Sequence, residues 1–292
     1  MVQDKSLGSR LFDWFNYSIL TIFALITVLP FIYIIAGSFS TAEELLQRGF
    51  ILFPTKLSLA AYEYIFTTDT MTRSLSVTVF ITVTGTLINL IFTVLFAYPL
   101  AHSDLPGRKY VMMGIVFTML FSPGMIAHFL IIKAYGMYNS LLALLIPGAI
   151  SSFNLIILKN FFQQIPTGLE ESAKIDGCND MRILLGIVLP LSAPALATFS
   201  LFYAVGHWNT FTAAILYIND AKKWPIQVLL RQIVIMSQGG IGDSSSLEQE
   251  IVIPPQTVKM AAITVSTVPI LVVYPFLQKH FTKGVMLGSV KG

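Results

Sequence analysis

Six stretches of this chain run without Asp, Glu, Lys or Arg for long enough to cross a lipid bilayer, and this limits the folds open to it. They lie at 14–42, 74–103, 110–132, 134–158, 183–219 and 260–278. A helix crossing a hydrocarbon core of about 30 Å needs about 20 largely apolar residues. Inside that core each backbone polar group must be satisfied within its segment or by neighbouring protein. With 55 % hydrophobic and only 11 % charged residues among 292, the chain reads as an all-α integral membrane protein of six transmembrane helices, not a soluble domain. Spans are expected at about 14–39, 74–101, 110–131, 140–162, 183–207 and 259–278, with a tight hairpin at 131–140. The first run is far longer than the apolar core of a cleavable signal peptide, so it reads as a span.

Six crossings place both termini on one side. The side holding 1–13, 102–110, 159–182 and 278–292 carries ten Lys/Arg in 61 residues, against eight in 96 on the other. Positive residues concentrate on the cytoplasmic side, so cytoplasmic termini are expected. Acids divide seven to eight, which puts the whole net charge of +3 on that side (10 − 7) and leaves the outer face neutral (8 − 8). So small an excess gives no reason to expect a nucleic-acid partner. One cysteine, Cys178, excludes an internal disulfide and offers no cluster spacing for a metal. The outer loop 208–258 contains the polar stretch "SQGGIGDSSSLEQE", and long loops of this kind are usually functional or disordered.

One segment interrupts the apolar pattern. From Glu170 to Arg182 the chain carries six charges, and an uncharged run follows. Pro166 ends the preceding span. Thr167 and Glu170 have the spacing of a capping box, and Glu170 and Glu171 suit the positive end of a helix dipole. Ile165, Leu169 and Ala173 recur every four residues, giving a small, flat face for close approach by another protein. Gly177 can take the left-handed turn that ends a helix. Two short cytoplasmic helices at 166–182 are expected, as a docking handle or simply as a solvated loop.

The same residues resemble a known family. Glu171-Ser172-Ala173, three residues, Gly177, nine residues and Ile187-x-Leu189-Pro190 follow the EAA motif of permease subunits of ATP-binding-cassette (ABC) importers, with Ser172 in place of the middle alanine. "LPGRK" at 105–109, "HWNTFTAAILYI" at 207–218 and "FLQKHFTKGVMLGSVKG" at 276–292 are similar to sugar-importer permeases in the same order. The resemblance implies a type I importer permease architecture in a bacterial inner membrane. It implies a coupling segment made of Glu170, Glu171, Ser172, Ala173, Asp176 and Gly177. Its expected partners are a second permease subunit, two ATPase subunits holding ATP and Mg, an extracytoplasmic binding protein and the surrounding lipid. The tail 279–292 would reach between the ATPase subunits. The substrate would be a saccharide, with the start and end of the chain most similar to a subgroup for alginate- or pectin-type oligosaccharides.

What the sequence lacks agrees with this. No G-x4-G-K-[S/T] occurs, so phosphates of ATP have no P-loop here, and no enzymatic activity is expected of the chain itself. Gly240-Ile241-Gly242-Asp243 matches a G-x-G-D protease pattern, but no second intramembrane aspartate accompanies it. The rival reading is an ion-coupled carrier. Carriers keep ionisable residues within their spans, whereas His128 is the one titratable side chain deep in a run here. For a substrate path, polar residues in the runs are the candidates: Asn89, His128, Asn154, His207, Trp208 and Asn209. For each, helix packing is the competing role.

Overall fold

The computed structural model describes residues 7–121, 123–237 and 256–288. Among them the regular structure is helical: α1 (Leu7–Ser38), α2 (Ala42–Arg48), α3 (Ala60–Thr67), α4 (Asp69–Ala101), α5 (Arg108–Leu120), α6 (Gly124–Ala134), α7 (Leu142–Leu145), α8 (Ser152–Phe162), α9 (Thr167–Ile175), α10 (Asp180–Ile183), α11 (Leu189–Leu191), α12 (Ala193–Trp208), α13 (Thr212–Tyr217), α14 (Ile226–Ser237) and α15 (Gln256–Gly288). A π-helical turn, Leu184–Val188, links α10 to α11.

Three helices are long and apolar enough to cross a bilayer unaided: Gly8–Ser38, Asp69–Ala101 and Gln256–Val273. Two bent pairs, Arg108–Leu120 with Gly124–Ala134 and Asp180–Leu191 with Ala193–Trp208, are apolar enough for each to form a broken span or a re-entrant loop, the second bent by 83°. The cause of the second bend is local. Pro190 and Pro194 lack the amide hydrogens that would continue the ladder, and the chain resets at Ser192. The fourth uncharged run does not form one continuous helix. Pro147-Gly148 interrupts it between α7 and α8, and the Ser151 side chain then accepts from the Asn154 amide to start α8.

Two compact units emerge, Met1–Asp69 with Leu230–Thr267, and Thr70–Leu229 with Val268–Gly292. In the first, α1 leaves most of its side chains exposed, from Trp14 to Phe31, as a lipid-facing helix does. Its end is pinned by Ser38 Oγ and Tyr62 Oη, 2.7 Å apart. Tyr33 stacks on Phe50, and Leu45, Ile51 and Met260 form a small core. Glu44 accepts from the hydroxyl and amide of Thr55, which holds its carboxyl below the ordinary carboxylate range.

The second unit has two cores. One joins α4, α8, α9, α10 and α12 through Ala97, Tyr98, Leu158, Phe162, Ala173, Ile183, Val188 and Phe199. The other joins α4, α6, α7 and α13 through Ile81, Ile132, Leu144, Ala214 and Tyr217. Beside it Asn139, at φ 58°, accepts from the amides of Asn219 and Asp220 and so ties the 134–140 turn to the end of α13. The segment expected to be an outer loop thus has α13, α14, a 3-10 turn at Ala221–Lys223 and the start of α15 within it. Residues 238–255, which include the G-x-G-D match and most of the polar stretch, and the last four residues of the tail lie outside the described residues.

Candidate functional site

The charged segment folds as a short helix with a closed end. At its C-terminus the Gly177 amide donates to Lys174 O (3.0 Å) and the Cys178 amide to Ala173 O (2.9 Å), with Gly177 at φ +79°. This pair of bonds is the Schellman arrangement, which needs a left-handed residue at the position after the cap. At its N-terminus the expectation was different. Thr167 does not cap: Pro166 is the cap residue, with no side-chain cap bond. The Glu170 carboxylate that a capping box would turn back on the backbone is engaged elsewhere. Its Oε2 accepts from His102 Nε2 at 2.8 Å and from the Tyr98 hydroxyl at 3.3 Å. Two charge-assisted or phenolic donors outcompete one exposed backbone amide.

The faces of α9 also differ from the reading of its apolar spacing. Ala173 is 8 % exposed and packs in the core of its own unit, whereas Leu169 on the same face is 45 % exposed, so this chain covers that face only at Ala173. Successive residues of a helix point about 100° apart, and the opposite face carries Glu171 and Ser172, both exposed, with Ile175 87 % exposed. Asp176 and Gly177 follow, also exposed. Ser172 is turned back on its own helix, donating to Gly168 O.

The polar residues expected along a path divide. Asn89, 1 % exposed, donates from Nδ2 to Gly148 O, and its Oδ1 lies 2.6 Å from His207 Nε2, which donates to it. Gly85, one turn before Asn89, gives the imidazole its space: a Cβ there would lie 2.4 Å from the ring. Trp208 is 7 % exposed and borders a cavity of about 130 Å³ with Thr82, Leu201, Ala204, Val205, Pro269, Ile270 and Val273. That is the environment of a packing residue. Asn209 is exposed, bonded to Val205 O and Gln227. Asn154 is buried in the first turn of α8, and His128 lies against Tyr217. Neither joins the Asn89–His207 pair.

Residues that sequence reasoning passed over are Tyr98, His102 and Gly85. For His102 the place at the polar end of the uncharged run 74–103 is a usable signal. Among the described residues no group of three or more His, Cys, Asp or Glu is placed to hold a metal ion.

A helical chain with bent, proline-broken crossings and an exposed, charged, Schellman-capped helix between two of them has the form of a transporter's membrane subunit. Residues 5–287 match the family of binding-protein-dependent transport system inner membrane components, and the chain belongs to that family. It is therefore a multi-pass inner-membrane permease, not an enzyme. It is 60 % identical over 286 residues (98 % of this chain, 100 % of the relative) to the polygalacturonan/rhamnogalacturonan transport system permease protein YtcP of Bacillus subtilis. It is 53 % identical over 285 residues (98 % and 96 %) to protein LplC of the same organism. A crystal structure of a bacterial ABC transporter involved in import of the acidic polysaccharide alginate contains a chain that superposes with a TM-score of 0.87 at 32 % identity, covering 96 % of this chain and all of that one. The fold is that of a type I ABC permease.

Proposed function

We propose that this chain is one of two membrane subunits of an ATP-driven importer that takes up oligosaccharides containing uronic acids, of the kind released from pectin. The observation that carries the reading is 60 % identity along the whole of a polygalacturonan/rhamnogalacturonan permease. Alginate, the polysaccharide of the superposing transporter, is also an acidic polymer. Two partner ATPases bind and hydrolyse ATP with Mg, a second permease completes the path, and an extracytoplasmic binding protein delivers the sugar. No observation favours an ion-coupled carrier.

In this reading the chain crosses six times with both termini and α9 in the cytoplasm, the third crossing through α5–α6 and the fourth through α7–α8. Glu171, Ser172, Asp176 and Gly177 face the ATPase. Asn209, exposed and bonded to Val205 O and Gln227, is the path candidate on the surface where a sugar hydroxyl can reach it. Asn89 and His207 bond each other and shape the wall.

The test is uptake. Proteoliposomes holding the four-component assembly are expected to accumulate labelled trigalacturonate when supplied with ATP and loaded binding protein, and not maltotriose. Preference for the neutral sugar would refute the uronate assignment, and accumulation without ATP would refute the ATP-driven class. Orientation has its own measurement. Cys178 is the only cysteine in the chain, follows Gly177 and is partly exposed. A membrane-impermeant maleimide is expected to label it only after cells are permeabilised. Labelling of intact cells would invert the topology.

A further inference from the structure

The last turn of α4 is held more completely than a helix end needs. A helix leaves its final four carbonyls without intrahelical partners. Here each of the four receives a donor. The His102 ring gives Nδ1 to Tyr98 O (3.0 Å), and the His102 amide donates to Pro99 O (3.2 Å). Arg108 Nε, from the start of α5, donates to Leu100 O (2.9 Å), and Gln163 Nε2, from the end of α8, donates to Ala101 O (3.1 Å). The end of α4 is thereby fixed to two other membrane-embedded helices. Both His102 ring nitrogens thus face acceptor oxygens, Tyr98 O and Glu170 Oε2.

On this anchored end α9 makes a polar attachment, beside the burial of Ala173 in the core that holds Tyr98. Glu170 Oε2 takes the second His102 nitrogen at 2.8 Å and the Tyr98 hydroxyl at 3.3 Å. The pair is shielded, with side-chain exposures of 29 % for His102 and 16 % for Glu170. Tyr98 itself is buried and meets the His102 ring edge-on at 4.9 Å. Shielding matters, because an exposed ion pair contributes roughly 0–1 kcal/mol and transmits little, whereas a partly desolvated carboxylate oxygen that accepts from two donors is held more firmly. The next residue, Glu171, points away and is exposed. The two adjacent acids therefore have separate partners available to them.

We propose that Glu170 is a positioning residue for transport: with His102 and Tyr98 it forms a strut that stays closed through the cycle, so that α9 and α4 move as one body. The proposal rests on the importer reading above and assigns Glu170 to force transmission, away from ATPase docking. The helix it drives is continuous from Asp69 to Ala101. At 1.5 Å per residue, Asn89 and its bond to His207 lie roughly 20 Å along α4 from His102. A displacement of α9 by the ATPase thus reaches the buried polar pair along a single helix, whose one proline, Pro99, lies in the last turn that the strut holds.

The experiment compares Glu170→Ala with Glu171→Ala in the reconstituted four-component assembly. Glu170→Ala is expected to retain the ATPase subunits at wild-type stoichiometry and to hydrolyse ATP, while sugar imported per ATP falls at least about tenfold, or about 1.4 kcal/mol of coupling. The conservative variant Glu170→Gln, whose amide oxygen still accepts from His102 Nε2 and the Tyr98 hydroxyl, is expected to recover most of the import per ATP. Glu171→Ala is expected to lose ATPase association. Loss of association by Glu170→Ala, or unchanged import per ATP, would overturn the proposal. Absence of import by the wild-type assembly would count against the importer reading, and the strut then stands or falls on a second measurement. Amide hydrogen exchange across α9 of the permease in nanodiscs is expected to speed up about tenfold in Glu170→Ala and Tyr98→Phe and to return in Glu170→Gln. Unchanged exchange would sink it. In the reconstituted assembly, a short reducible cross-link between cysteines at 102 and 170, with Cys178→Ser, is expected to leave import intact. Import that stops on cross-linking and resumes on reduction would show that the contact must open.

Discussion

Gly177→Pro is expected to reduce ATP-driven uptake about a hundredfold, equivalent to the ~3 kcal/mol that proline costs where the backbone cannot take it. The permease should still be made and inserted at wild-type level. Gly177 sits at φ +79°, while proline is locked near −65° and has no amide hydrogen to give Lys174 O. The substitution removes one of the two bonds that close α9 and forces the chain out of the turn leading to α10. It does so outside the apolar packing, since nothing lies within 4 Å of an added Cβ at this position. Gly177→Ala separates turn from bulk. It fits the space, retains the amide, and pays only the left-handed penalty of roughly 1–2 kcal/mol, so an intermediate loss is expected. Uptake is measured in the reconstituted assembly, and the membrane fold by thermal unfolding of the purified chain. Equal loss of both in the proline variant would mean that α9 belongs to the folding core, not to coupling.

The turn at Gly177 was legible because a glycine at a helix end has few other uses, and so was the membrane class, because long uncharged runs have one physical explanation. The start of α9 was not. A capping box and a carboxylate reaching a distant histidine share the same local sequence, and only the arrival of His102 beside Glu170, 68 residues away, decides between them. The same limit applies to Ala173. Its four-residue spacing with Ile165 and Leu169 puts the three on one face, but spacing cannot say that Ala173 is buried by this chain while Leu169 stays 45 % exposed. Here Phe162, Ile183 and their neighbours share the core with Ala173. Continuous spans were overread where Pro147-Gly148 splits the fourth run, since absence of charge reports a membrane environment and not an unbroken helix.

The buried pair was half visible. Thr78, Thr82, Gly85, Asn89 and Thr93 recur at three- and four-residue steps along α4, which is the pattern of one helix face. That stripe could have been read as a polar seam facing protein. Three of its members have distant partners: Thr78 accepts from the Ile226 amide, Asn89 pairs with His207, and Thr93 with the Tyr203 hydroxyl at 2.7 Å. Sequence periodicity places the seam, but its partners come from α12 and α14, more than a hundred residues on.

Gly85→Ala tests that seam with the second large effect. Its Cβ would stand 2.4 Å from Cε1 and Nε2 of His207 and 2.7 Å from Cδ2, closer than any carbon can approach, and the contact is a ring held on both sides. Overpacking a tight core costs typically about 1–3 kcal/mol. Displacing the ring also strips Asn89 Oδ1 of its donor, where an unsatisfied buried amide costs roughly another 1–3 kcal/mol. The two costs overlap, so a loss of a few kcal/mol is expected, read as a marked fall in thermal unfolding temperature in detergent and loss of uptake. The discriminating variant is the double substitution Gly85→Ala with His207→Ala. Removing the ring relieves the clash while leaving Asn89 without its partner. The double variant should therefore be more stable than Gly85→Ala alone and close to His207→Ala, with an interaction of at least about 1 kcal/mol between the sites. Simple additivity, with the double variant the least stable of the three, would show that Gly85 is required for some contact other than the histidine ring. Stability regained without uptake would assign the Asn89–His207 bond to transport, because the wall would then be packed but no longer shaped by the pair.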